Sequence, residues 1–341
     1  MMGQELYWIY AFNVIVNSFL SFFTTIVLVE ICIRLLRINH PRVKCIGYFL
    51  APSKICLDFF LYHYSNWALL HGVNPIAETG TRNLSLMINP FAGIQFSMQD
   101  GKTFSLADMI ALSMGLSWIR MVVLIAIMGV VIGFIAYGVR VIREKRYVGL
   151  IVRLSLPFAR SIVNLPLASW LKKRQVRLAV TSFVDAPCIA GKTILFPSAL
   201  INNLSAEEYE AIIAHEMAHL QWKDCSLRLV YSIVATVFWW IPTRGLQRRI
   251  EEMQEMAADL MIHRFGISKI ALAEAVVKTA KARGVPSKLV FSFVGRRSSF
   301  RKRMEMILQE PMKQALGCKA MQYGLLGLSL FSILFGKLWI F

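Results

Sequence analysis

His215-Glu216-Met217-Ala218-His219 is the stretch of sequence that decides what kind of protein this chain can be. Residues i and i+4 lie on one face of an α-helix, so His215 and His219 can direct ring nitrogens at one tetrahedral Zn²⁺ ion. Glu216 points away from that face, but its carboxylate can reach the open position of the metal and accept a proton from water. The pattern therefore predicts a hydrolytic zinc site, and the alternative is a pair of hydrogen-bonded core histidines.

The motif is predicted to lie well inside a helix. Ser205 and Glu208 have the spacing of a capping box, which predicts a helix that begins near Ala206. Ile212 and Leu220 contribute to an apolar face before and after the motif. Helical geometry is therefore expected for both histidines, as binding of a shared metal requires.

The composition indicates a membrane protein. Apolar residues make up 56 % of the chain, above the roughly 45–50 % of soluble domains. The formal net charge is +18, from 38 Lys and Arg against 20 Asp and Glu. A nucleic-acid-binding surface is the alternative explanation of this charge, but no nucleic-acid-binding motif accompanies it. We therefore expect no nucleic-acid partner and attribute the charge to cytoplasmic loops.

Four apolar segments can span a bilayer core of about 30 Å, at about residues 8–36, 45–70, 109–138 and 321–341. The second is the weakest, because Lys54 and Asp58 interrupt it. Basic clusters follow the first and third segments and precede the fourth, whereas the loop at 71–107 is poor in Lys and Arg. The positive-inside rule then places that loop and both termini outside. The predicted organisation is a three-helix membrane region over 1–139, a cytoplasmic domain over 140–320 and a last membrane helix over 321–341.

The third ligand of the predicted site must come from elsewhere, because a catalytic zinc ion has three protein ligands and one open position. Helical sequence resumes around residues 248–259, where Glu251, Glu252 and Glu255 all have suitable side chains. Spacing alone does not choose among them.

A family resemblance bears on this choice. The histidine motif, followed by Lys223-Asp224 and by Glu255-Met256-Ala257-Ala258-Asp259, resembles the membrane-integral gluzincin peptidases. The BlaR/MecR type is the most similar, and the HtpX-like and CAAX prenyl proteases are next. The resemblance covers about residues 180–310. It implies a mainly α polytopic protein with an α+β zinc peptidase domain, a strand at 187–197 that pairs with extended substrate, and a closing helix at 293–308.

The resemblance also implies a role for each site residue and one Zn²⁺ ion per chain. Glu216 would be the general base, and Glu255 would be the third ligand beside His215 and His219. Two further side chains would support the site: Asp259 by a hydrogen bond to a ligand histidine, and Arg303 by stabilising the oxyanion.

The implied function is regulated, signalling proteolysis at the bacterial inner membrane, with the active site on the cytoplasmic side. The partners would be membrane lipid and a protein or peptide substrate, such as a cytosolic repressor or a membrane protein. The oligomeric state stays open. One alternative is a quality-control protease of HtpX-like type. Others are a non-catalytic zinc sensor closed by His263 as fourth ligand, and a catalytic cysteine at Cys188 or Cys225.

Two further apolar stretches are expected not to cross the membrane. Residues 147–171 are predicted to form an interfacial helix. Residues 229–242 lie between the two metal-binding segments, and a crossing there would put Glu255 on the side of the membrane opposite His215. We therefore expect a buried or half-embedded helix, with its Phe238-Trp239-Trp240 end at the membrane interface.

Overall fold

The chain is mainly helical, as its sequence predicts. The computed structural model describes residues 2–70, 95–97, 103–105, 115–158, 162, 164–282 and 297–308 of the 341. The first part of the fold has three long helices and one short antiparallel strand pair, namely α1 (Met2–Leu35), α2 (Pro41–Leu70), β1 (Gln95–Ser97), β2 (Thr103–Ser105) and α3 (Leu116–Leu154).

The second part combines a sheet with helices, in agreement with the α+β domain that the resemblance implies. Its elements are β3 (Leu156–Pro157), α4 (Leu165–Arg174), β4 (Arg177–Thr181), β5 (Cys188–Ala190), β6 (Thr193–Pro197), α5 (Ser198–Ile201), α6 (Ala206–Trp222), α7 (Asp224–Val237), α8 (Arg244–Met261), α9 (Lys269–Ala282) and α10 (Arg297–Leu308), with a 3₁₀ turn at Ile262–Phe265. The sheet order is β3-β4-β6-β5. Strands β4 and β6 are parallel, the other pairs are antiparallel, and β5 lies at one edge.

Two of the described helices are long and apolar enough to cross a membrane, over Ala11–Leu35 in α1 and Ser117–Leu154 in α3. They correspond to the first and third predicted spans. Helix α2 is not one of them, and it carries a buried ion pair between Lys54 and Asp58 at 2.7 Å. The span predicted at 321–341 and most of the loop at 71–107 lie outside the described residues. The four-span topology therefore stays a prediction.

Helix α3 differs from the prediction because it continues beyond the predicted apolar segment, which ends at about residue 138. It runs without a break to Leu154, so the predicted boundary at 139/140 falls inside it and residues 147–154 are its last turns. The interfacial helix predicted over 147–171 is therefore wrong. The physical reason is that Arg140 and Glu144 form an i,i+4 ion pair of 2.7 Å that supports helix. The first helix-breaking residue is Pro157, which favours extended backbone at the residue before it.

The motif helix α6 lies in the centre of the second part. Every residue from Glu208 to Ala218 is buried. The apolar ones pack with Ile194 and Phe196 of β6 and with Leu272 of α9 in one core. A second core joins the first two helices to the second part of the fold, because Phe22 of α1 and Tyr48 of α2 lie in one cluster with residues of α7 and α8.

The apolar stretch at 229–242 forms a short helix and a turn, in agreement with the sequence interpretation. Helix α7 has 14 residues, about 21 Å at the usual rise per residue, which is too short for a bilayer core. The indole nitrogen of Trp239 donates a hydrogen bond to the carbonyl of Ala126 at 3.1 Å, and that of Trp240 donates to Oγ of Ser18 at 3.0 Å. The turn is thus anchored on α1 and α3.

Gly129 of α3 allows this anchoring, because a Cβ atom at that position would overlap the Trp239 ring. We expect Gly129→Ala to lower the free energy of unfolding by about 1–3 kcal/mol through overpacking. Thermal unfolding of the detergent-solubilised protein measures the change. The matched control is Gly138→Ala in the same helix, where nothing lies within 4 Å and the lower chain entropy of alanine should leave stability unchanged or raised. Equal effects of the two variants would contradict this account.

Candidate metal centre and active site

Helix α6 begins where the sequence predicts and carries both histidines. Oγ of Ser205 accepts a hydrogen bond from the backbone N–H of Glu208 at 3.2 Å, and Oε2 of Glu208 accepts one from the backbone N–H of Ser205 at 2.7 Å. This capping box satisfies two N–H groups at the helix N-terminus. The helix ends at Lys223, whose left-handed backbone (φ 55°) reverses the chain and places Asp224 at the start of α7.

Three side chains converge as a metal-binding cluster. Nε2 of His215 and Nε2 of His219 are 3.3 Å apart, and each lies 3.6 Å from a carboxylate oxygen of Glu255 on α8. Ligand atoms about 2.0–2.1 Å from a tetrahedral zinc ion are about 3.3–3.4 Å apart. The donor set and its spacing therefore fit such an ion. Of the three glutamates that the sequence left open, the structure brings Glu255 to the histidines.

A carboxylate lies behind each histidine. Nδ1 of His215 is 2.9 Å from Oδ1 of Asp259, and Nδ1 of His219 is hydrogen-bonded to Oδ2 of Asp224 at 2.9 Å. When Nδ1 donates to a carboxylate, the lone pair of Nε2 is directed at the metal position. Asp259 thus lies beside His215. The sequence interpretation gave Asp224 no role, although its position directly after the Lys223 turn was the available signal.

Arg303 of α10 contacts the carboxylates of both Glu255 and Asp259 on α8. Its Nε and Nη2 donate to Oδ2 and Oδ1 of Asp259 at 2.8 and 2.7 Å, and Nη1 lies 3.1 Å from Oε2 of Glu255. Its side chain is 1 % exposed, and it does not line the cleft in front of the histidines. The oxyanion role predicted for Arg303 does not fit this placement. The geometry fits a residue that positions Glu255 and Asp259.

The charges of the site follow from these contacts. Burial alone would raise the pKa values of Glu255 and Asp259, but the guanidinium of Arg303 and the neighbouring histidines together outweigh burial and hold both pKa values below their usual range. Burial alone would lower the pKa of His215, whereas Asp259 and Glu255 raise it to about 9. Burial raises the pKa of Glu216 above that of a free glutamate. A higher pKa makes Glu216 a stronger base toward water.

A cleft opens in front of the histidines and Glu216. Its walls include Tyr147 and Ile151 from the end of α3, the edge strand β5, and Arg228 of α7. Apart from the two histidines, Arg228 is the one basic side chain among the described residues that line it. An exposed strand edge beside a catalytic cleft can pair with an extended peptide.

The two alternative chemistries find little support in this geometry. Cys188 and Cys225 line the cleft, but burial raises the pKa of Cys188 to about 12 and also raises that of Cys225. Both thiols are therefore protonated at neutral pH, and a thiol is a poor nucleophile. His263 is exposed in the 3₁₀ turn and is not part of the metal-binding cluster in the described part of the chain.

Two histidines and a glutamate next to the carboxylate of Glu216 have the arrangement of a metallopeptidase site, and the two apolar helices fit a membrane-bound member of that class. The chain belongs to the family described as BlaR1 peptidase M56, whose model matches residues 63–307, well over half of the sequence.

Three relatives show local similarity. The methicillin resistance mecR1 protein of Staphylococcus aureus (strain Mu50) is 26 % identical over 73 residues, which are 20 % of this chain and 12 % of that protein. Protease HtpX homolog 2 of Sulfurisphaera tokodaii is 38 % identical over 53 residues, 16 % of each protein. The protease HtpX homolog of Picrophilus torridus is 28 % identical over 75 residues, 21 % of this chain and 24 % of that protein. The aligned segments thus span a quarter or less of each relative.

Proposed function

We propose that the chain is a membrane-embedded, zinc-dependent endopeptidase. The observation that carries this proposal is the triangle of side chains formed by His215, His219 and Glu255. The two Nε2 atoms are 3.3 Å apart, and each lies 3.6 Å from a different carboxylate oxygen of Glu255, which is close to the spacing of tetrahedral zinc ligands. No fourth protein ligand joins the triangle among the described residues, so one position is left for water, as in catalytic sites.

Each residue of the site has a separate role in the proposed peptide hydrolysis. Zinc held by the triangle would supply Lewis acidity toward the attacking water and toward the scissile carbonyl. Glu216 takes the proton of that water and passes it to the leaving amine. Asp259 and Asp224 keep the two imidazoles oriented. Arg228 is the candidate for the group that faces the carbonyl oxygen, because it is the basic side chain in the cleft.

The proposed substrate is an extended, membrane-proximal or cytosolic segment of another protein. It would pair with the edge strand β5, whose residues Cys188 to Ala190 line the cleft. Part of the cleft wall belongs to α3, the same helix that is long and apolar enough to cross the membrane. This continuity supports cleavage close to the bilayer. We place the active site on the cytoplasmic side of the bacterial inner membrane with both termini outside, following the distribution of basic residues.

Two biological roles fit the same chemistry. Regulated proteolysis of a repressor or another signalling protein is the one that we propose first. Quality control of membrane proteins is the second, and the similarity to two proteases described as HtpX homologs favours it. Comparing the proteomes of cells that carry the active form and a Glu216→Gln form separates them. One defined cleaved regulator supports the first role, and many misfolded membrane proteins support the second.

Metal removal tests the proposed chemistry directly. We expect about one zinc ion per chain in the purified, detergent-solubilised protein, loss of casein cleavage after chelation, and recovery when zinc is added back. A His215→Ala variant should contain little zinc, because the site loses one of three ligands. The His263→Ala variant is the matched control and should keep zinc and activity. Cleavage that persists in metal-free protein would contradict the proposal.

A further inference from the structure

A chain of contacts leads from the beginning of helix α2 to a histidine of the candidate metal centre. Arg42, one residue after the start of α2, donates through Nη1 to Oδ1 of Asp224 at 2.6 Å. The other oxygen of Asp224 bonds Nδ1 of His219 at 2.9 Å. Arg42 and His219 therefore hold the two oxygens of one carboxylate, although 177 positions separate them in the sequence (219 − 42 = 177).

Arg42 is itself fixed by the end of α6. Its Nη2 donates to the backbone carbonyl of Trp222 at 3.2 Å, and its guanidinium carbon lies 4.9 Å from the centre of the Trp222 ring. The carbonyls in the last turn of a helix lack partners within the helix and attract positive charge. The side chains of Arg42 and Asp224 are only 12 % and 2 % exposed, so water screens the pair weakly.

We propose that Arg42 is a positioning residue for the metal centre, and that it makes the metal affinity of His219 depend on the packing of α2 against α6 and α7. Without Arg42, the buried carboxylate of Asp224 loses the partner of one oxygen and can turn away from Nδ1 of His219. The imidazole is then held less firmly in the orientation that directs Nε2 at the metal. A displacement of α2 that breaks the hydrogen bond between Arg42 and Asp224 has the same effect on the orientation of His219 as removal of the Arg42 side chain. Arg42 precedes residues 63–307, the part of the chain matched by the family model, whereas Asp224 lies within it.

The proposal rests on the proposed function only for the identity of the bound metal, and its test needs no catalysis. We expect Arg42→Gln to raise the dissociation constant for zinc about 3–10-fold and Asp224→Asn about 10–100-fold, in the range of residues that orient metal ligands. Both are measured in the inactive Glu216→Gln background by competition with a chromophoric chelator. In the double variant the effect of Arg42→Gln should vanish, because the two residues act in series. In the Co²⁺-substituted protein, the d–d absorption should likewise change less in Arg42→Gln than in Asp224→Asn.

The matched control is Arg249→Gln, which removes another contact between the first two helices and the second part of the fold. Arg249 of α8 pairs with Glu30 of α1 and lies 5.9 Å from the centre of the Tyr48 ring. It does not contact the metal-binding residues, so zinc affinity and the Co²⁺ spectrum should not change. Arg42→Lys, which keeps the charge, should restore part of the affinity. Wild-type affinity in Arg42→Gln, or equal loss in Arg249→Gln, overturns the proposal and leaves the peptidase function standing. Absence of zinc binding by the wild type overturns both.

Discussion

Replacement of Glu216 by glutamine is expected to abolish peptide cleavage while the zinc content stays at one ion per chain. The amide has nearly the same size as the carboxylate but cannot accept the proton of the attacking water. General bases contribute about 10²–10⁴-fold to the rate, and loss of the proton carrier for the leaving amine adds to this. The Glu216 side chain is buried and lies beside the histidines, so a carboxylate ion from solution cannot take its place as the base. Turnover of a quenched fluorescent peptide and metal analysis of the same sample measure the two quantities.

Glu207→Gln is the matched control for this result. It makes the same chemical change in the first turn of the same helix, where the side chain is exposed. Glu207→Gln should lower the free energy of unfolding by no more than the few tenths of a kcal/mol that a carboxylate contributes near a helix N-terminus. Activity should therefore be close to that of the wild type. Retained cleavage in Glu216→Gln, with Glu207→Gln also active, would remove Glu216 from the mechanism and require another base.

The sequence predicts those parts of the site that depend on local geometry. The capping box at Ser205 and the i,i+4 histidines are set within one helix, so helical periodicity was enough to place them. Glu255 and Asp259 came from a family resemblance, because nothing local relates α8 to α6. Asp259 lies beside His215 and not beside His219. That distinction depends on how two helices pack, and the sequence pattern has no information about it.

Arg303 and Asp224 show why the remaining parts escaped prediction. A basic residue in a closing helix suggests a group facing substrate, but tertiary packing turns Arg303 inward, where two carboxylates compensate its charge. Asp224 looks like an ordinary helix-initiating carboxylate until the fold brings Arg42 of α2 beside it. The predicted end of the third apolar segment, at about residue 138, differs from the observed end of α3 at Leu154 for a related reason. Basic residues mark the end of the membrane but do not end a helix.

Removal of the Arg303 charge is expected to destabilise the metal-free protein strongly. Arg303→Gln removes the guanidinium from the buried carboxylate of Asp259 and from the half-buried carboxylate of Glu255, and loss of one partner of a buried ion pair costs about 3–5 kcal/mol. Arg303 makes the largest contribution that lowers the pKa values of both carboxyl groups, so at neutral pH the folded variant must either hold these carboxylates with the nearby histidines alone or take up protons. Denaturant unfolding in the presence of a chelator measures the loss.

Bound zinc should reduce this loss, because a divalent cation beside Glu255 replaces part of the missing positive charge. The difference in unfolding free energy between Arg303→Gln and the wild type should therefore be larger with chelator than with saturating zinc. The unfolding free energy of Arg303→Lys should lie between those of Arg303→Gln and the wild type, since lysine keeps the charge but loses the bidentate contact with Asp259. Arg249→Gln, on a side chain that is 56 % exposed, should cost about 1 kcal/mol or less. A loss of that small size for Arg303→Gln would mean that its charge does not stabilise the site, and an oxyanion role would again have to be considered.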